Sequence, residues 1–392
     1  MLQLLLQMKI QIFVLLLFLS LSCKPQNNSL LEIDPRSFPD NKITLGAIAD
    51  DIYYVLLDGS IPIGINYKLK ITASNIYLSV KDIGILKFDR SGRLICRIGS
   101  IGRGPGQYTD FMDYAVDELT GNIYVMGPGI IKVYSQRGTF VRNIDYKAHI
   151  AFVGGDIEVY NSLLFIPDFL WTGEAKNSWV FLDTLGKLVA AKKNSIQPFK
   201  TNTGIDGSIY RFGSNLYYYN LYNDTIFSIS PDLSSKGAYL FAKGDHRWTI
   251  GEVNTHREAF IRIFKPMKMF ESKYFVIILY AYLDRSAISL IEKQSGKVFI
   301  ARIQKGELSE PSLQNDLDGA LPFGMDINYF IDNNEEYLVQ LISPIDLKTH
   351  VADDEFKNGN PKYPERKKEV ESLALRIKET DNPLLMIARL KK

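Results

Sequence analysis

The feature that most restricts how this chain can fold is a hairpin that recurs five times along it. An apolar strand ends in an acidic or polar residue, turns, usually through a glycine, and returns as a second apolar strand. The copies read GILKFDRSGRLICRI, IIKVYSQRGTFVRNI, SWVFLDTLGKLVAAK, DTIFSISPDLSSKGAYLF and AISLIEKQSGKVFIARI. With Phe88, Tyr134, Leu182, Ile229 and Ile291 taken as equivalent points, they stand 46, 48, 47 and 62 residues apart. A hairpin cannot cover its own apolar faces, so such repeats must stack on one another. A spacing of roughly 40–50 residues is that of one four-stranded propeller blade.

Each hairpin has a further strand pair ahead of it, as FMDYAVDELTGNIYVMG precedes the second and IYRFGSNLYYYN the fourth. The long last interval holds AKGDHRWTIGEVNTHREAFIRIF, read as an insertion at about residues 244–264 with a short helix. A sixth blade can be assembled from DINYFID, EEYLVQLIS and PLLMIARL, with the N-terminal DIYYVLL as its last strand. Borrowing that strand removes the open edges that would otherwise face each other where the first and last blades meet. The expected fold is therefore all-β: a six-bladed β-propeller of four-stranded blades over residues 43–392, closed by the N-terminal strand. A short C-terminal helix is expected over about residues 365–379, where Val370, Leu373, Ala374 and Ile377 make one apolar stripe in a charged segment.

The N-terminus, MLQLLLQMKIQIFVLLLFLSLSC, has a lysine before its longest apolar run and small residues at its exit, the pattern of a secretory signal over residues 1–22. Ser20, Leu21 and Ser22 ahead of Cys23 resemble a bacterial lipobox, although Ser20 stands where most have leucine. The resemblance implies lipid attachment at Cys23 and a polar tether over residues 23–42. It also implies a location in the cell envelope, at the outer membrane, with the bilayer as partner through the lipid. Only Cys96 remains, so no intramolecular disulfide is available to the mature chain. Charge is nearly balanced, 46 Lys and Arg against 44 Asp and Glu, which argues against a nucleic-acid partner.

The loop RIGSIGRGPGQY, Arg97–Tyr108, poses a choice between a phosphate cradle and a chain crossing. A dinucleotide fingerprint needs its glycines between a strand and a helix, and here the following FMDYAVD reads as a strand. The stretch FDRSGRLICRIGSIGRGPGQYTDFMDYAVDELTGNIYVM is similar to an NHL-type propeller repeat, in which such a loop links the outer strand of one blade to the inner strand of the next. YNDTIFSIS, NDLDGALPFG and ETDNPLLMIARLKK, in this order behind the leader, resemble the six-bladed β-propeller lipoproteins of Bacteroidetes over nearly the whole mature chain. That family implies an architecture and a compartment, and no established reaction.

Candidate chemistry is sparse. His149, His246, His256 and His350 are scattered without the paired spacing of a zinc site. In NDLDG, Asn315, Asp316 and Asp318 lack the remaining ligands of a calcium loop and read as a turn whose side chains bond backbone amides. No G-x-S-x-G elbow occurs. Some six-bladed propellers are calcium-dependent hydrolases of the lactonase or esterase kind with acids on the central axis, and Asp113, Asp156, Asp206 and Asp326 lie near blade starts, where such ligands would sit. That is the alternative reading, with calcium as cofactor. The main reading has no cofactor and no catalytic residue: a binding module for an extracellular glycan, peptide or envelope protein. Its candidate ligand-binding residues are Asp245, His246, Arg247 and Trp248 in the insertion, which combine an acid, two cations and an aromatic platform, and Trp171 in DFLWTGE.

Overall fold

The computed structural model describes residues 30–39, 42–109, 111–150, 155–169, 174–199, 207–248, 261–302 and 311–392. Strand β1 (Leu31–Ile33), the single-turn helix α1 (Leu45–Ile48) and strand β2 (Ala49–Leu56) open the chain. Blade 1 is β3 (Asn66–Ile71), β4 (Asn75–Val80), β5 (Gly84–Asp89) and β6 (Leu94–Ile98). Blade 2 is β7 (Asp113–Val116), β8 (Ile123–Gly127), β9 (Ile130–Tyr134) and β10 (Phe140–Asp145). Blade 3 is β11 (Glu158–Tyr160), β12 (Leu163–Pro167), β13 (Asn177–Leu182) and β14 (Leu188–Lys193). Blade 4 is β15 (Gly207–Phe212), β16 (Asn215–Asn220), β17 (Thr225–Ile229) and β18 (Ser235–Phe241), and blade 5 is β19 (Lys265–Glu271), β20 (Phe275–Tyr282), β21 (Arg285–Glu292) and β22 (Val298–Arg302). Blade 6 takes β23 (Asn328–Asp332), β24 (Glu335–Ile342) and β25 (Leu384–Leu390) and is completed by β2, antiparallel to β25 from Ala49↔Leu390 to Leu56↔Leu384. The six sheets form the ring expected from the repeats, closed by the strand expected to close it.

The recurring hairpins form because their turn residues satisfy the backbone locally. Asp89 accepts the Ser91 and Arg93 amides, and Asp183 accepts those of Leu185 and Lys187, so a short side chain replaces the missing ladder bonds. Between the blades lie the apolar layers: one cluster centres on Tyr114 and Tyr134 between blades 1 and 2, another on Phe165 and Tyr218 between blades 3 and 4.

The GPGQY loop crosses from β6 to β7 as the repeat pattern required, and its role is packing. Tyr108 is buried; its hydroxyl donates to the Ile98 carbonyl at 2.8 Å and accepts the Ile85 amide at 3.1 Å. Gly99 has φ 60°, and a Cβ there would stand 2.6 Å from the Tyr134 ring and 2.9 Å from that of Tyr108. A Gly99→Ala variant should therefore lose about 2–4 kcal/mol, from the left-handed backbone and from the two displaced rings. Urea unfolding would read this as a lower midpoint at unchanged slope; a loss under about 1 kcal/mol would mean that the rings give way freely.

The NDLDG turn bonds its own amides as expected, with Asn315 accepting Leu317 N–H at 3.2 Å and Asp318 accepting Ala320 N–H at 2.9 Å. It also clamps the closing segment. Asp316 accepts the Thr44 hydroxyl at 2.8 Å and the Gly46 amide at 2.6 Å, at the start of α1, and Asp318 accepts the Tyr54 hydroxyl of β2 at 2.7 Å.

Three helices separate β24 from β25: α2 (Pro344–Ala352), α3 (Asp354–Asn358) and α4 (Pro364–Arg376). The sequence pointed only to the last, because α2 and α3 are short and interrupted by polar residues. Val370, Ala374 and Ile377 are buried as the apolar stripe requires, and Leu347 and Phe356 of the other two helices share their core. The tether is shorter than residues 23–42. Leu31–Ile33 pairs in parallel with β18 as a fifth strand of blade 4, and Ile33 is fully buried, so the alternating LEI segment is already part of the domain. Cys23 lies outside the described residues, as does most of the insertion expected to hold a helix.

Candidate ligand-binding site in the axial channel

Successive strands in a blade run antiparallel, so the fourth strand ends on the same face of the ring as the next inner strand begins. On this upper face each blade supplies residues just before its inner strand or within that strand's first four positions. They include Lys68 from blade 1, Asp113 from blade 2, Asp156 from blade 3, Gly207 from blade 4, Lys268 from blade 5 and Asn328 from blade 6. All but Asp113, which lies buried behind, line a cavity of about 610 Å³ walled by the inner strands of all six blades.

One half of this ring is tied together by ion pairs, two lysines against three carboxylates. Lys68 reaches Asp113 at 2.7 Å and Asp156 at 3.2 Å, and Lys70 reaches Glu158 at 3.1 Å, so blade 1 is strapped to blades 2 and 3. The Asp113 side chain is wholly buried and also accepts the Tyr114 and Ile157 amides at 2.6 and 3.0 Å. Burial opposes the charge on Lys68, but the two carboxylates outweigh it and hold the ammonium above its ordinary value. Burial pushes Asp156 up, against the pull of Lys68.

The other half differs. Lys268 donates to the Asn328 side-chain oxygen at 2.6 Å, and among the described residues no carboxylate pairs with it. Asn328 is itself fixed, its amide nitrogen donating to the Asp326 carbonyl at 2.9 Å, which leaves its oxygen for the lysine. Burial, and then the charge of Lys68, pull Lys268 down to about 8.

The lower end of the channel holds another buried acid, Glu271, which is fully satisfied. It accepts the hydroxyls of Tyr210 and Tyr239 at 2.8 Å each and pairs with Lys293 at 2.6 Å. Such a closed network braces blades 4 and 5.

The candidates read from the sequence divide accordingly. Asp156 lines the channel, Asp113 is buried behind it on Lys68, Asp326 is exposed and outside the lining, and Asp206 and Trp171 lie outside the described residues. The donor set does not fit calcium, which takes six to eight oxygens. Among the described residues no three acids, histidines or cysteines gather at one point, and the cation that Asp113 and Asp156 share is Lys68.

The GDHRW platform is corrected by burial. Only Asp245 is exposed. His246 is 1% exposed and Arg247 4%; Arg247 pairs with Asp224 at 3.2 Å, donates to the Asn223 carbonyl at 3.0 Å and lies 4.5 Å over the Phe241 ring. Trp248 is half-buried against the core of blades 4 to 6. The segment therefore packs the insertion onto YND of the YNDTIFSIS motif, with three of its four side chains withdrawn from solvent. Lys68, Lys268 and Asn328 were missed; their one signal was the placing of polar residues at equivalent points of the inner strands in INYKLKI, KPMKMF and DINYF.

Comparison with known proteins bears on the fold. Residues 31–389 match the profile of a family described as "Domain of unknown function (DUF4934)". A crystal structure of a protein of Bacteroides fragilis, described as exported, superposes with a TM-score of 0.67 at 16% identity, covering 93% of this chain and 100% of that one. A DUF4221 family member from Bacteroides vulgatus gives 0.49 at 11% identity, over 90% and 99%. No protein of curated function matches the sequence.

Proposed function

This chain belongs to the DUF4934 family, a domain of unknown function, and from that premise we propose that it is a lipid-anchored, non-catalytic binding propeller of the cell envelope, held at the outer membrane, which takes an extracellular glycan, peptide or protein segment at its axial mouth. The observation that carries this reading is the cavity of about 610 Å³ with Lys268 in its wall, bonded to a neutral amide alone among the described residues. A cavity of mixed polar and apolar walls with a polar group placed to orient a ligand is the usual form of a ligand pocket. No reaction is assigned, because the acids beside it are occupied by Lys68.

The leader ending at Cys23 supplies the anchor, and the export noted for the Bacteroides fragilis protein agrees with it. Topology supplies the orientation. Strand β1 runs parallel to β18, which ends at the upper face, so the chain ahead of Leu31 comes from the lower face. Leu31 is the eighth residue after Cys23, a reach of about 28 Å when fully extended. The lower face would then lie toward the bilayer and the mouth away from it.

Metabolic labelling with a fatty-acid analogue tests the anchor: wild type should be labelled and sediment with membranes, and Cys23→Ala should do neither. Equal labelling of both would sink the anchored reading. The non-catalytic part is tested by lactone and ester panels, which should show no turnover. A turnover abolished in a folded Asp113→Asn or Lys268→Met protein would replace binding by catalysis.

A further inference from the structure

Resting on the reading of the channel as a binding site, we propose that Lys268 is the anchor for a carboxylate of the ligand: a uronic sugar of a glycan, or the C-terminal carboxylate of a peptide. Three lysines line the cavity, and two of them, Lys68 and Lys70, are matched to carboxylates of blades 2 and 3. Lys268 alone among these three has only a neutral oxygen at 2.6 Å. A half-buried cation with no carboxylate in contact weakens the fold, and such a group is retained where a ligand supplies the contact.

The surroundings suit a carboxylate attached to a larger body. Asn328 is held by the Asp326 carbonyl so that its oxygen, not its NH2 group, faces Lys268; this fixes the ammonium and leaves its other N–H groups for the incoming anion. Beside it Met267 is nearly half exposed, and the Phe270 and Tyr329 rings stack at 5.6 Å, so the walls offer apolar surface to the rest of the ligand. On the next inner strand Gly207 contributes no side chain to the wall. The charged and titratable groups that act on Lys268 are Lys68, Asp156 and Asp326; the first opposes its protonation and the two acids favour it. Its ammonium is half lost near pH 8 in the free protein, and an anion seated on it would hold the proton.

Calorimetry on the mature chain carrying Cys23→Ala, so that no lipid is attached, provides the test. The probes are digalacturonate with its methyl ester, and a tripeptide with a free C-terminus with its amide. One acid should bind at least tenfold more tightly than its neutral partner, and which one it is identifies the source of the carboxylate. That preference should fade as pH rises past about 8, vanish in Lys268→Met, and persist without the pH dependence in Lys268→Arg. Equal binding of acid and neutral partner would overturn the carboxylate assignment and leave the binding reading standing. An acid preference that survives Lys268→Met in a protein with a cooperative melt would overturn the role of Lys268. Failure of both acids to bind would overturn the proposal too, while glycans or peptides captured on arrays would still carry the broader function.

Discussion

Removing residues 1–57 should leave a chain that cannot fold, whereas removing residues 1–29 should leave the melt unchanged. The longer deletion takes away the outer strand of blade 6 together with Leu45, Ile48, Ile52 and Leu57, each at most 4% exposed. Ile52 and Leu45 belong to the core shared by blades 4 to 6, and Leu57 to the core between blades 6 and 1, so both faces of the last blade are stripped at once. At about 1.5–3 kcal/mol for each buried side chain the loss approaches 10 kcal/mol, comparable to the whole stability of an ordinary domain. Polar ties go with it: Arg389 to Asp50 and Arg366 to Asp51, both at 2.9 Å, and Tyr54 to Asp318. A peptide spanning residues 42–57, added in trans, should restore a cooperative melt, because the missing strand lies at the outer edge of its sheet. If the deletion to residue 57 melts like the full chain, the ring is not held shut by this strand.

The architecture was legible in the sequence because every blade repeats its local chemistry. Asp89 and Asp183 cap their hairpins through backbone amides, and an acid at the end of an apolar run followed by glycine announces that turn before any tertiary contact exists. The closing strand was legible for the same reason, since three strands at the C-terminus lacked a fourth. The site was only half legible. Asp113 and Asp156 stood out by their position at blade starts, as candidate calcium ligands, but the lysines beside them sit in strands whose alternation of polar and apolar residues reads as an ordinary half-exposed face. Only closure of the ring turns that face into the wall of a channel. Arg247 failed in the opposite direction. A loop segment rich in charge reads as exposed, yet Asp224, more than twenty residues earlier, supplies its partner, and burial of such a pair depends on contacts across the chain.

The two lysines of the upper ring should respond oppositely to the same substitution. Lys68→Met should cost about 3–5 kcal/mol, because it strands the buried carboxylate of Asp113 next to that of Asp156 without a cation. Folding would then force protons onto the pair, so the defect should shrink as pH falls: the folded variant binds protons that its unfolded chain has already released. Adding Asp156→Asn should restore about 1–2 kcal/mol, since the remaining Asp113 keeps its two backbone amides and loses its repelling neighbour. Lys268→Met should instead raise stability at pH 7 by about 1 kcal/mol, a figure kept well below the full shift because cavity water screens the charge. Its advantage should narrow as pH rises from about 8 toward 10.5, where the folded wild type has shed a proton that its unfolded chain still holds. Urea midpoints from about pH 5 to about pH 10.5 measure both variants. A Lys68→Met loss below about 1 kcal/mol would show that the carboxylates are not truly buried, and a Lys268→Met loss of similar size would show that Lys268 supports the fold. The expected opposition has one physical source: Lys68 touches two carboxylates of the chain, whereas Lys268 touches only a neutral oxygen.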